Sequence, residues 1–232
     1  MRRACLKVLE HSLSDRAPVV RMLESILDDH ECASQVWSVH SWGGFDHSQC
    51  PSAFQQTLST HGGEVTDFIV APLDTLFNLS SITLSPQNPA SCELAYSYLS
   101  KAMSIVDKAA QNHTHERVLI ANFTRCVSGA FFNAAGALYK ASKYGHALRF
   151  LNDAAPLAVK ALAQYDDSIS SAECTDQQGT EKDVEVWKAH RLQLFKRYEL
   201  LAACQTKLGN RKVCRVIAQT EWQLRAMFPV SL

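Results

Sequence analysis

The chain has 232 residues, enough for one large domain or two small ones around a sizeable core. Its 47% hydrophobic and 20% charged residues are a globular balance, which excludes the disordered, collagen-like and membrane classes. Basic and acidic residues stand at 23 each, so no overall field favours nucleic acid or an anionic membrane, and neither is expected as a direct partner.

The 8 cysteines (Cys5, Cys32, Cys50, Cys92, Cys126, Cys174, Cys204, Cys214) are scattered, with no C-x-x-C pair and no Cys/His cluster at structural-zinc spacing. They read as reduced thiols, several of them acting as small hydrophobes on helix faces, and no metal or cofactor is expected. The N-terminus is basic, but Lys7, Glu10 and His11 interrupt any apolar run of signal-peptide length. No stretch offers about 18 uninterrupted apolar residues. Cytoplasm and nucleus are therefore the expected location.

From Ala4 to His40 apolar residues recur at helical spacing (Leu6, Leu9, Leu13, then Val19, Leu23, Ile26, Leu27), with Pro18 where a first turn tolerates it. Residues 41–65 are rich in Gly, Ser and His and read as loop. Ile69 to Leu84 is apolar without a clean period, and the pattern alone leaves helix and strand open there. Asn88-Pro89 opens a helix whose stripe is Leu94, Tyr98, Ala102, Ile105, Val106 and Ala109. The next runs from about His115 to Ser142, with Leu119, Phe123, Val127, Phe131, Ala134 and Leu138 on one face. Gly145 to Tyr165 continues as helix, with a break or kink expected at Pro156. Residues 166–183 are acidic and polar and read as a flexible linker. Val184 to Leu208 and Arg211 to Met227, punctuated by Gly209-Asn210, form a closing helical hairpin over 184–228. Residues 1–165 and this hairpin thus read as parts of one all-α solenoid.

Internal repetition is the most informative signal. Phe131-x-x-Ala134-Ala135-x-x-Leu138, followed by Ala147-x-x-x-Leu151, fits the tetratricopeptide (TPR) pattern, with Lys140 to Tyr144 as the turn. Tyr198-x-x-Leu201-Ala202-x-x-Gln205, followed by Cys214-x-x-x-Ala218, fits more loosely, with Lys207 to Asn210 as its turn. Antiparallel helices approach closely only where facing residues are small, and flanking aromatics fill the gap to the next pair. The two matches lie 67 positions apart (131 to 198), close to two repeats of about 34 residues, so a degenerate or interrupted repeat is expected between them. The fold class expected is an all-α, TPR-like solenoid of antiparallel hairpins; a non-repeating helical bundle is the other reading of such a permissive pattern.

Two segments, Arg125 to Leu151 and Lys196 to Lys212, resemble the N-terminal helical repeat region of fungal separases, the second through the run Arg197-Tyr198-Glu199-Leu200-Leu201-Ala202 leading into a Gly-centred turn. The resemblance implies a scaffold in sister-chromatid separation, belonging with a cysteine endopeptidase that cleaves cohesin, and partners such as a securin-like inhibitor or the rest of a larger separase chain. The family's protease elements, a His-Gly and a Gly-Cys-Ser, do not transfer: His61-Gly62 is the one His-Gly and no Gly-Cys-Ser occurs. The chain is then expected to be a fragment, a truncated gene model or a paralogue without its enzyme, and itself non-catalytic. An unrelated TPR-like adaptor is the alternative.

In TPR units the first helix of each pair lines the concave surface, which places Phe132, Gly136, Tyr139 and Lys140 in the groove of the first unit and Lys196, Ala203 and Lys207 in that of the second. Phe132 and Gly136 stand where a chaperone-tail clamp needs Lys and Asn, so that clamp is not expected. Phe132 is either an exposed peptide contact or, as aromatic stripes more often are, packing for the neighbouring repeat. Lys207, Arg211, Lys212, Arg215 and Arg225, against the single Glu221, give the last hairpin a basic face, a solvated one unless an acidic partner, the chain's own Asp166 to Asp183 segment included, meets it. A third reading, a cysteine hydrolase using Cys50 with His40, His47 or His61, needs a base within hydrogen-bond reach and a depressed thiol pKa, neither of which a polar loop guarantees.

Overall fold

The structure is a computed structural model and describes residues 20, 21, 23–25, 27, 65–112, 117–173 and 181–227, the side chains of 65–68, 71, 112, 166–173, 181–190 and 224–227 excepted. Every regular element among them is helical: α1 (Val65–Thr83), α2 (Pro89–Asn112), α3 (Arg117–Lys140), α4 (Tyr144–Glu173), α5 (Glu181–Lys207) and α6 (Arg211–Met227). The chain divides into two compact units, 1–83 and 84–232.

In the first unit the apolar run left open between helix and strand is α1. Ile69, Leu73, Leu76 and Leu79 are buried at helical spacing, and Pro72 is accommodated inside the helix. Leu23 and Leu27, one turn apart, are also helical and buried.

The second unit opens with local chemistry legible in the chain. Asn88 Oδ1 accepts hydrogen bonds from the backbone N–H of Ala90 (3.0 Å) and Ser91 (3.5 Å), and Pro89 takes the first helical position, where no N–H is needed. The buried stripe of α2 is Cys92, Ala95, Tyr98, Leu99, Ala102, Val106 and Ala109; Leu94 is 43% exposed. Small residues allow close approach to α3, and Leu94 lies a helical step outside that contact.

Successive helices pack on one another from α2 to α6, and α3 also reaches α5. This explains why α3 buries more than one stripe: Ile120, Ala121, Phe123, Thr124, Val127, Ser128, Phe131, Ala134, Ala135 and Leu138 are all inside. Tyr96, Phe131 and Phe150 meet edge to face, with centroids 5.3–6.1 Å apart, where α2, α3 and α4 converge. Around this trio the Tyr96 hydroxyl donates to Asp153, Arg149 pairs with Glu93, and Lys160 reaches Asp107 at 2.6 Å, so polar side chains bridge α2 to α4. Between α4 and α5 the core consists of Ala158, Leu162, Leu194 and Phe195, with Val159 and Tyr198 at its margin.

Helix α4 runs unbroken through Pro156, which is exposed, so the Asn152 carbonyl deprived of its donor belongs to an exposed residue and faces water. It continues to Glu173, and α5 opens at Glu181, so most of the segment expected as linker is helical. Elongating a formed helix needs no new nucleus, which lets an acidic, polar stretch follow it. One long helix followed by α5 also leaves no room for a further hairpin, so the interval of 67 residues is filled by the length of α4, not by a degenerate repeat.

The two hairpin turns have the same geometry. At the end of α3, Ser142 N–H donates to Tyr139 O and Lys143 N–H to Leu138 O, both 2.9 Å, with Ser142 at φ 60°. At the end of α5, Gly209 N–H donates to Thr206 O (3.0 Å) and Asn210 N–H to Gln205 O (2.9 Å), with Gly209 at φ 78°. Both are Schellman motifs. Ser142 and Gly209 are 67 positions apart, the same offset as the sequence matches.

Candidate protein-binding groove

One face of α3 is left open. Val118 is 47% exposed and Lys140 is exposed, while a Cβ added at Gly136 meets nothing within 4 Å and one at Gly129 meets only the Arg197 Nη2, at 3.9 Å. Neither glycine is required for helix packing, and each costs the helix roughly 1 kcal/mol relative to alanine.

The floor of this face is Arg197. It projects from α5 toward α3 and is 2% exposed. Its Nε donates to Ser128 Oγ (2.7 Å), its Nη1 to Gln193 O (2.5 Å), and its guanidinium carbon lies 5.2 Å from the centre of the Phe132 ring. Burial first, and the like charge of Arg125 second, push its pKa down to about 10. It remains a cation at neutral pH, held at a cost on the order of 3 kcal/mol relative to water. Beside it, Arg125 Nε is buried without a hydrogen-bond partner.

Of the residues expected in the groove, Phe132 is half-buried under Arg197 and serves the α3–α5 contact. Tyr139 packs edge-on against Tyr144 at the turn, with centroids 5.3 Å apart. Lys140, Lys196 and Lys207 are exposed, Lys140 and Lys207 at equivalent places in the last turns of α3 and α5; Gly136 and Ala203 are half-buried. Lys207, Arg211, Lys212 and Arg215 are all exposed.

Sequence reasoning passes over Arg125, Ser128, Gly129 and Arg197. The repeat pattern places Lys196 in the groove and gives Arg197 no role, and which of the two turns inward depends on how α5 crosses α3. The only signal was the small pair Ser128-Gly129, which makes room for a long side chain from another helix.

His40, His47, Cys50 and His61 lie outside the described residues. Among the described residues no group of three or more His, Cys, Asp or Glu is placed to hold a metal ion, and no helix is long and apolar enough to cross a membrane. Comparison of the chain with protein-family models, with curated proteins and with solved structures finds no match.

Proposed function

We propose that the chain is a non-catalytic TPR-like helical scaffold, related to the N-terminal region of separases, which holds protein partners during chromosome segregation in cytoplasm and nucleus. The observation that carries the repeat reading is the shared offset. Two helical pairs, α3–α4 and α5–α6, turn through the same hydrogen-bonded motif 67 residues apart, at the spacing of the two TPR-pattern matches. Ala135 and Ala147, the small residues that the pattern places at the close contact, are both fully buried. The separase reading rests on the two resembling segments, which contain these same turns.

Purification of the tagged chain from dividing cells, followed by mass spectrometry, tests the reading. A separase protease polypeptide or a securin-like inhibitor among stoichiometric partners is the expected result, together with delayed sister separation when the chain is depleted. A stable partner outside chromosome segregation would make it a TPR-like adaptor of another pathway. Labelling of Cys50 by a thiol-directed activity probe would overturn the non-catalytic assignment.

A further inference from the structure

Arg197 is a buried cation that no carboxylate reaches among the described residues. Folded proteins rarely keep a charge inside unless it is paired, and a buried polar group left short of partners asks for an explanation. Two of its nitrogens are taken by Ser128 and Gln193; the third, Nη2, is the atom nearest the space above Gly129. Arg125, one helical turn earlier on α3, brings a second guanidinium whose Nε has no acceptor. Two cationic donors thus stand around a notch formed by the missing side chain of a glycine. From there the face continues past Phe132 to the open space at Gly136 and the exposed Lys140.

We infer that the Gly129 notch, floored by Arg197 and flanked by Arg125, receives a carboxylate from an acidic segment of a protein partner lying extended along α3. The inference rests on the scaffold reading above and names the chemistry of its ligand. A planar carboxylate matches what is left to donate: one oxygen toward Arg197 Nη2 and one toward Arg125. The glycines let a peptide main chain come closer than any side chain would allow. From Gly129 to Lys140 the helix advances roughly 16 Å, which an extended peptide covers in about five residues. The ligand is therefore a segment with one acid for the notch and a second, about five residues away, for Lys140.

The test uses the full chain and a fluorescein-labelled synthetic peptide carrying two Glu-Asp pairs separated by about four neutral residues, read by fluorescence anisotropy. The Gln-Asn isostere of the peptide is the control. The acidic peptide is expected to bind roughly tenfold or more tightly than the isostere, with affinity falling as salt rises. Gly129→Leu, whose Cβ meets only Arg197 Nη2 at ordinary contact distance and which removes neither arginine, fills the notch and is expected to abolish the preference without lowering the melting temperature. Arg197→Met is expected to abolish it while raising the melting temperature, because a methionine fills the volume without the charge. Equal binding of the isostere, or unchanged binding by Gly129→Leu, overturns the site. Tighter binding of a phosphoserine version of the peptide would make phosphate the ligand and overturn the carboxylate. If neutralising Asp176, Glu181 and Asp183 raised the affinity, the chain's own acidic segment would be the occupant and the partner would fall. A natural partner recovered undiminished by the Gly129→Leu chain would leave the scaffold standing and remove this site from it.

Discussion

Ser142 and Gly209 do the same work with different residues. Both hold the left-handed backbone that ends a helix in a Schellman turn, at φ 60° and 78°, but Ser142 carries a Cβ into that region and Gly209 does not. The two substitutions that exchange these states have opposite expected signs. Ser142→Gly is expected to gain about 0.5–1 kcal/mol, the relief of the left-handed strain less the entropy of glycine. Gly209→Ala is expected to lose about 1 kcal/mol, although nothing crowds the new methyl. Urea melts of the two variants check both. The cysteines differ in the same local way. Burial pushes the Cys204 thiol up to about 11 and also raises that of Cys92, there with help from the neighbouring Glu93, whereas Cys126 is exposed. In the unfolded chain such a thiol ionises near 9.0, in the folded chain only above that. Stability from these thiols is therefore complete below about pH 9 and falls as the pH climbs toward 11. Denaturant melts at about pH 8 and about pH 10.5 should show this loss, and Cys204→Ala should reduce it; an equal loss in both chains would clear the thiol. At neutral pH iodoacetamide should modify Cys126 and spare Cys204, as peptide mapping would show.

Among the helices, the parts legible in the chain are those set by neighbours in sequence. Asn88-Pro89 announces α2 because the cap is a contact between adjacent residues, and the small residues of α3 and α4 announce their pairing because close approach needs them. Helix α1 was not legible as a helix: Val70, Phe77 and Ile82 fill positions beside its stripe, so apolar residues fall at both periods. The end of α4 was not legible either, since its acidic composition resembles that of a linker and helix continuity there is inherited from the turns before it. The inward place of Arg197, and with it the candidate notch, depends on the crossing of α5 and α3, which no local pattern encodes. The contact most dependent on tertiary assembly is the trio of Tyr96, Phe131 and Phe150. Phe131→Ala, at a site with no exposure, is expected to cost about 3–5 kcal/mol. Ala135→Leu, which overfills the α3–α4 contact, is expected to cost about 1–3 kcal/mol. Thermal melts followed by circular dichroism should rank them in that order.

Taken together, the second unit is a series of helices in which α3 has neighbours on several sides and α6 packs chiefly on α5. The last helix accordingly shows apolar surface: Val213 is 42% exposed, Val216 62% and Trp222 71%. The isolated chain is expected to self-associate, and Val216→Glu to weaken that association, as sedimentation velocity over a range of concentrations would detect; a monomer at every concentration would show that this face needs no cover. The interior is keyed differently. Ser128 Oγ donates to Ala154 O on α4 at 2.7 Å and accepts from Arg197 Nε on α5 at 2.7 Å, so one hydroxyl of α3 touches both helices that flank it. Burial of apolar surface is non-directional, whereas a hydrogen bond is made at one register and lost within a short shift. A slip of α5 along α3 by one residue, about 1.5 Å, would part Arg197 from Ser128 while leaving the oily contact nearly as large. That single oxygen acts as a dowel between three rods. Whatever draws Arg197 outward would free α5 to move along its track, and would let the position of one hairpin relative to the next be read from outside.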